Sequence, residues 1–206
     1  MTGMESLEPE PPHGWRVVRF AAIRDRLAAL SIVAVDGRGS GGKTSFAARL
    51  AAAVPGAAVV HTDDIAWRQA VLDWADLLAD GILKPRRAGD NVAFRPPKWA
   101  EYDRPGAITV PAGAPLLIIE GVGCARRSLA GRYDAVVWLQ SDQRLIDERT
   151  RVRVAAGETT PENNELWLAE ELPFHAEERI WERADLRIAG SPVLDFDPLT
   201  EIVVAR

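Results

Sequence analysis

Residues 37–44 read Gly-Arg-Gly-Ser-Gly-Gly-Lys-Thr, a run suited to holding a chain of phosphates. Glycines let the backbone wrap so that successive amides point inward at phosphate oxygens. A helix starting at the end of the run adds free amides and the positive end of its dipole. An ammonium at Lys43 can bridge the last two phosphates of a triphosphate, and the Thr44 hydroxyl can bind Mg²⁺. The spacing matches the Walker A pattern completely. The expected ligand is therefore ATP with Mg²⁺, contacted by Gly37, Arg38, Gly39, Ser40, Gly41, Gly42, Lys43, Thr44 and Ser45. Residues 37–42 also fit a dinucleotide fingerprint, with Asp63 about 20 residues on. That turn has no use for a Lys-Thr pair at the helix start. The sequence has no Asn-Lys-x-Asp run to read guanine, which favours ATP over GTP.

Acidic residues follow two further apolar runs. Asp63 and Asp64 come after 57–60, and Glu120 comes after 116–119. In open parallel sheets ligands collect at the carboxyl ends of strands, so these three carboxylates are expected near the terminal phosphate. One can hold Mg²⁺ or its waters, and another can take a proton from an attacking hydroxyl. Aspartate also caps helices, and Asp64 is expected mainly to do that. His61, at the same strand end, is a candidate substrate contact.

The elements that position these groups alternate in type. Short apolar runs at 32–35, 57–60, 116–119, 135–139 and 186–188 read as buried parallel strands. Helical patterns read at 44–53, 65–84, 142–155 and 165–184, and 201–204 reads as a sixth strand at an edge. Residues 15–30 read as an extended lead-in and a helix, and 85–115 as loops with short extended pieces. The alternation implies a parallel sheet covered by helices on both faces. Residues 1–14, acidic and Pro-rich, are expected to form a flexible tail, leaving 15–206 as one domain. The net charge of −5 gives no basic field for nucleic acid. No apolar run approaches a membrane span, and a single cysteine, Cys124, fits a reducing cytoplasm. Trp138 is expected in the core, Trp167 and Trp181 on one helix face, and neither His175 nor Cys124 has partners at metal spacing. Assembly of several copies is left open.

Residues 33–44, His61-Thr-Asp-Asp, Leu117-Ile-Ile-Glu-Gly and Ala184-Asp-Leu-Arg-Ile together resemble the uridine kinase-like P-loop kinases over about residues 30–192. The resemblance implies an α/β P-loop NTPase three-layer sandwich, with five parallel strands in the order 2-3-1-4-5 and a small lid over about 149–165. It makes Asp63 the base, and places Glu120 with Thr44 and Asp63 around Mg²⁺. It implies that the loop around 189–193 flanks the adenine. Such kinases close arginines over the transferring group, so Arg149 and Arg153, one turn apart, join Lys43 and Asp63 as catalytic candidates. Asp147 and Glu148 interrupt the family's arginine run. The acceptor side falls on Arg95, Lys98, Trp99, Tyr102 and Arg104, which could hydrogen-bond a sugar or stack on a ring. Uridine kinases proper carry a histidine in that stretch, and this chain has none between residues 62 and 174. The implied activity is transfer of the γ-phosphoryl group of ATP to a hydroxyl of a small molecule. The alternative is a nucleotide-dependent switch or assembly ATPase with water as its only acceptor.

Overall fold

A computed structural model describes residues 8–11, 13–191 and 194–205. Five strands run parallel: β2 (Ile32–Gly37), β3 (Ala58–His61), β6 (Leu117–Glu120), β7 (Ala135–Gln140) and β8 (Leu186–Ala189). Across the sheet they lie β3-β6-β2-β7-β8, which is the expected order 2-3-1-4-5. Two antiparallel strands extend the sheet beyond β8, giving seven in all. β9 (Glu201–Ala205) pairs with β8, and β1 (Arg16–Arg19) pairs with β9. Residues 201–204 are therefore an inner strand, not the edge, because β1 covers their outer side.

The apolar runs are continuous because both faces of the sheet are covered. Successive side chains point to opposite faces of a strand. Ile32 and Ala34 of β2 join one core, with Leu117, Ile119 and Trp138. Val33 and Val35 join the other, with Ile118, Val137 and Leu139. Trp138 is fully buried, as expected. On the second face lie α1 (Phe20–Ala28) and α2 (Lys43–Ala53), which bury Leu27 and Leu50.

Two expected helices are broken. The run 65–84 divides into α3 (Thr62–Ala66) and, after a loop, α4 (Ala75–Leu78), a π turn Ala79–Leu83 and α5 (Lys84–Ala88). The loop carries two non-glycine residues at positive φ, Arg68 and Leu72, which a helix excludes. In the π turn a Cβ on Gly81 would lie 2.6 Å from the Phe94 ring, so glycine admits that ring. Phe94 belongs to β4 (Val92–Phe94), which pairs with β5 (Ile108–Val110) in a small second sheet, and α6 (Pro97–Glu101) lies between them. After α7 (Gln143–Ala155), the run 165–184 divides into α8 (Pro161–Glu178) and α9 (Ile180–Arg183). Arg179, at φ 45 and ψ 48, turns the chain between them. Trp167 and Trp181 thus do not share a face: Trp181 packs on Trp138 at 5.6 Å between ring centroids, and Trp167 borders a cleft.

Of the expected tail, residues 1–7 and 12 lie outside the described residues. The Pro9 carbonyl accepts hydrogen bonds from Gln140 and Arg187.

Candidate active site

The glycine loop connects β2 to α2. It opens on Asp36, which the apolar strand buries completely. A buried carboxylate must be hydrogen-bonded. Asp36 Oδ1 accepts the amides of Gly37 at 2.7 Å and Gly123 at 2.9 Å, and Oδ2 accepts Ala125 at 2.8 Å. One side chain thereby ties the phosphate loop to the segment after β6. Sequence reasoning missed Asp36 as a functional residue, although a charge ending the apolar run 32–35 was the signal.

That segment is drawn in further by Gly121, at φ 146, where a Cβ would lie 1.7 Å from Thr62 Oγ1. The close approach sets Glu120, at the end of β6, beside the start of α3. Glu120 Oε1 accepts Thr44 Oγ1–H at 3.1 Å and lies 2.5 Å from His61 Nδ1, which donates when it carries hydrogen. Asp63 sits in the first turn of α3, exposed to the same space. A cleft of about 680 Å³ results, lined by residues 39–45, Asp63, Glu120, Gly121 and Val122 on one side. Arg149, Thr150, Arg153, Glu158, Thr159, Asn163, Asn164 and Trp167 line the other side. The size is ordinary for a small-molecule site.

The loop's donors and carbonyls have partners within the chain. Lys43 Nζ donates to the Arg38 carbonyl at 2.7 Å, and Arg149 Nη1 to the Ser40 carbonyl at 3.1 Å. The Gly39 amide donates to Glu171 Oε1 at 2.5 Å. Ser40 takes φ 58 and Gly42 φ 96, left-handed positions that turn successive amides the same way into an anion-binding nest. Gly37 and Arg38 do not line the cleft. Gly37 completes β2, and the buried Arg38 guanidinium donates to Gln143.

Arg149 also donates to the Gly190 carbonyl at 3.4 Å, and Arg153 pairs with Glu158 at 3.1 Å. Gly190 lies on the loop expected to flank adenine, of which residues 192 and 193 lie outside the described residues. Thr44, Glu120 and Asp63 supply hard oxygen donors, which suits Mg²⁺. Among the described residues no group of three or more His, Cys, Asp or Glu could hold a metal by itself. Phosphate oxygens and waters would therefore complete the shell around Thr44 and Glu120.

The expected acceptor residues gather beside the cleft and do not line it. Arg104 pairs with Asp64 at 2.5 Å and lies over the Trp99 ring at 3.7 Å. Trp99 Nε1 donates to the Asp64 carbonyl at 2.8 Å, Lys98 pairs with Glu101, and Arg95 donates to the carbonyls of Trp99 and Arg104. Tyr102 stands edge-on to Trp67. Asp64 does not cap a helix. No side-chain cap is present on α3, and the Asp64 carboxylate is taken by Arg104.

Cys124 and Glu171 differ in their electrostatics. Burial, and the neighbouring Asp36 and Glu120, push the Cys124 thiol well above its ordinary value, so it is no nucleophile. Burial opposes the charge of Glu171, but His175, the Gly39 amide and Lys43 outweigh it and hold the carboxyl below its ordinary value. The series Trp167, Glu171, His175, four apart along α8, was the overlooked signal of an inward face.

No protein-family model matches the chain, and no curated protein matches it. Solved structures do. One described as a possible uridine kinase from Bacillus stearothermophilus is 18% identical, with a TM-score of 0.50 over 81% of this chain and 95% of that one. Another, described as a fructose transport system kinase from Silicibacter sp. TM1040, is 21% identical, with a TM-score of 0.46 over 80% of this chain and 91% of that one. The first likeness supports the fold alone, an α/β domain with a central, mostly parallel sheet flanked by helices.

Proposed function

We propose that the chain is an ATP-dependent small-molecule kinase that moves the γ-phosphoryl group to an acceptor hydroxyl. The observation that carries this is the meeting of residues 39–45 of the phosphate loop, Glu120 and the exposed Asp63 in one cleft. The lysine and the amides of residues 40–44 bind and orient the triphosphate. Thr44 and Glu120 would hold a magnesium ion, which would supply positive charge against the phosphate oxygens. Asp63 accepts the proton of the acceptor hydroxyl as its oxygen bonds to phosphorus and the ADP oxygen leaves. Arg149 and Arg153, from α7, neutralise charge on the equatorial oxygens and, with the lid over about 149–165, exclude water. His61 orients Glu120. Arg95, Lys98, Trp99, Tyr102 and Arg104 stand beside the cleft, joined to it through Asp64, and the acceptor would enter from their side.

The test is product analysis by mass spectrometry after incubation with Mg-ATP and a panel of hydroxyl-bearing metabolites. A phosphorylated metabolite formed with ADP supports the reading. Phosphate release with no phosphorylated metabolite would point to an ATPase and overturn it.

A further inference from the structure

We infer that Glu171 is a positioning residue for the phosphate loop, and that through it the lid arm of α8 and the loop hold one another's conformation. The inference rests on the nucleotide-binding reading of the cleft.

Glu171 is 1% exposed and borders the loop from α8. Its two oxygens have different tasks. Oε1 accepts the Gly39 amide at 2.5 Å, and Oε2 accepts the Trp167 indole N–H at 3.0 Å. His175, fully buried, lies 3.6 Å from Oε1 and is wedged edge-on against Trp138 at 5.1 Å between centroids. His175 thus packs behind the carboxylate, whose hydrogen bonds run to the loop and to Trp167.

Gly39 has no side chain, and the Trp167 indole and the Glu171 carboxylate close over it, so that a Cβ there would lie 3.2 Å from Trp167 Nε1 and 3.3 Å from Glu171 Oε2. The hydrogen bond to Glu171 fixes the direction of its amide. The bond holds the Gly39 peptide next to Ser40, which takes a left-handed conformation at φ 58. That conformation turns the amides that follow toward the phosphates. A carboxylate so close to a triphosphate site is a cost in charge repulsion, which makes a purely electrostatic role unfavourable. A geometric role accounts for it.

The second task concerns the lid. Within α8 the buried residues are Glu171 and His175, so the arm N-terminal to Glu171 is held loosely. Pro173 lacks an amide hydrogen, so the bond to the Ala169 carbonyl is missing and the helix ladder is weakened around Glu171. Trp167 lies on the loose arm, lines the cleft, and is oriented by the same carboxylate that sets Gly39. Movement of the arm therefore reaches the loop through Glu171.

The test compares wild type, Glu171→Ala and Glu171→Gln. Calorimetry reads Mg-ATP affinity, and ligand-observed NMR reads adenosine, which has no phosphate. Losing a buried charged acceptor should weaken Mg-ATP by about 10- to 100-fold in Glu171→Ala. Glu171→Gln keeps one accepting oxygen but sets a second N–H donor against Trp167, so it should fall between, at about 3- to 10-fold. Adenosine should bind all three alike. If Glu171→Ala does not fold, Glu171→Gln alone decides. Mg-ATP affinity unchanged or tighter in the variants would overturn the inference, as would a parallel loss for adenosine, which marks general damage. Failure of the wild type to bind Mg-ATP would instead remove the nucleotide reading and this inference with it.

Discussion

Replacing Asp36 by Asn should destabilise the protein severely for so small a change. The carboxylate is 0% exposed and accepts the amides of Gly37, Gly123 and Ala125. With the asparagine oxygen in the Oδ1 place, two bonds survive with a neutral acceptor, each weaker by about 1 kcal/mol. The new NH₂ group then faces the Ala125 amide, and a buried donor left without an acceptor costs about 1–3 kcal/mol. Asp36 also supports the charge of the buried Arg126 guanidinium, whose pKa burial lowers and Asp36 raises. Relief of carboxylate desolvation offsets part of the loss. A net of about 3 kcal/mol is expected, against a total stability of about 5–15 kcal/mol for a domain. Urea unfolding followed by circular dichroism measures it, as a fall in midpoint at unchanged slope. A loss under about 1 kcal/mol would mean that the three amides are not held as described, and would refute the reasoning.

Asp63→Asn should lower kcat by about 10²- to 10⁴-fold once an acceptor is known, with Mg-ATP affinity nearly intact, because general-base help is lost and no phosphate contact is. Asp64→Asn should do less, acting through the Arg104 pair; steady-state kinetics of both variants checks the assignment, and the reverse ranking would exchange the two roles. Partial burial opposes the charge of Asp134, but Arg87 and the amides of Ile32 and Ser31 hold its carboxyl below the ordinary value. Its stabilisation is therefore present above the unfolded-chain value of about 3.9 and is lost as pH falls through the lower folded value. Asp134→Asn should flatten that part of the acid unfolding curve; an unchanged acid slope would refute the assignment.

The parallel strands were legible because each apolar run had both faces buried, and because one motif fixed where β2 ends and α2 begins; their order came from the family resemblance. The loop, Asp63 and Glu120 followed from chemistry local in sequence. What escaped were contacts between distant segments. Asp36 reaches Gly123 and Ala125, Glu171 reaches Gly39, and Arg104 takes the carboxylate expected to cap α3. Asp36 at the end of an apolar run and Glu171 four residues from Trp167 and His175 carried a sign of burial, but nothing in a linear pattern names the distant partner. The two split helices escaped for a backbone reason. Left-handed conformations at Arg68, Leu72 and Arg179 lie on residues that carry no turn signal.

The measurement closest to the central claim, that the cleft is a triphosphate site, is calorimetric titration of Mg-ATP into wild type and Lys43→Ala. Lys43 is buried in the loop with its ammonium on the Arg38 carbonyl, a short reorientation from the cleft it lines. Removing one partner of a buried charge pair costs about 2–5 kcal/mol, so affinity should fall by about 30-fold or more. One-to-one binding to wild type with that loss in Lys43→Ala is the predicted result, and equal affinity for both proteins would contradict it.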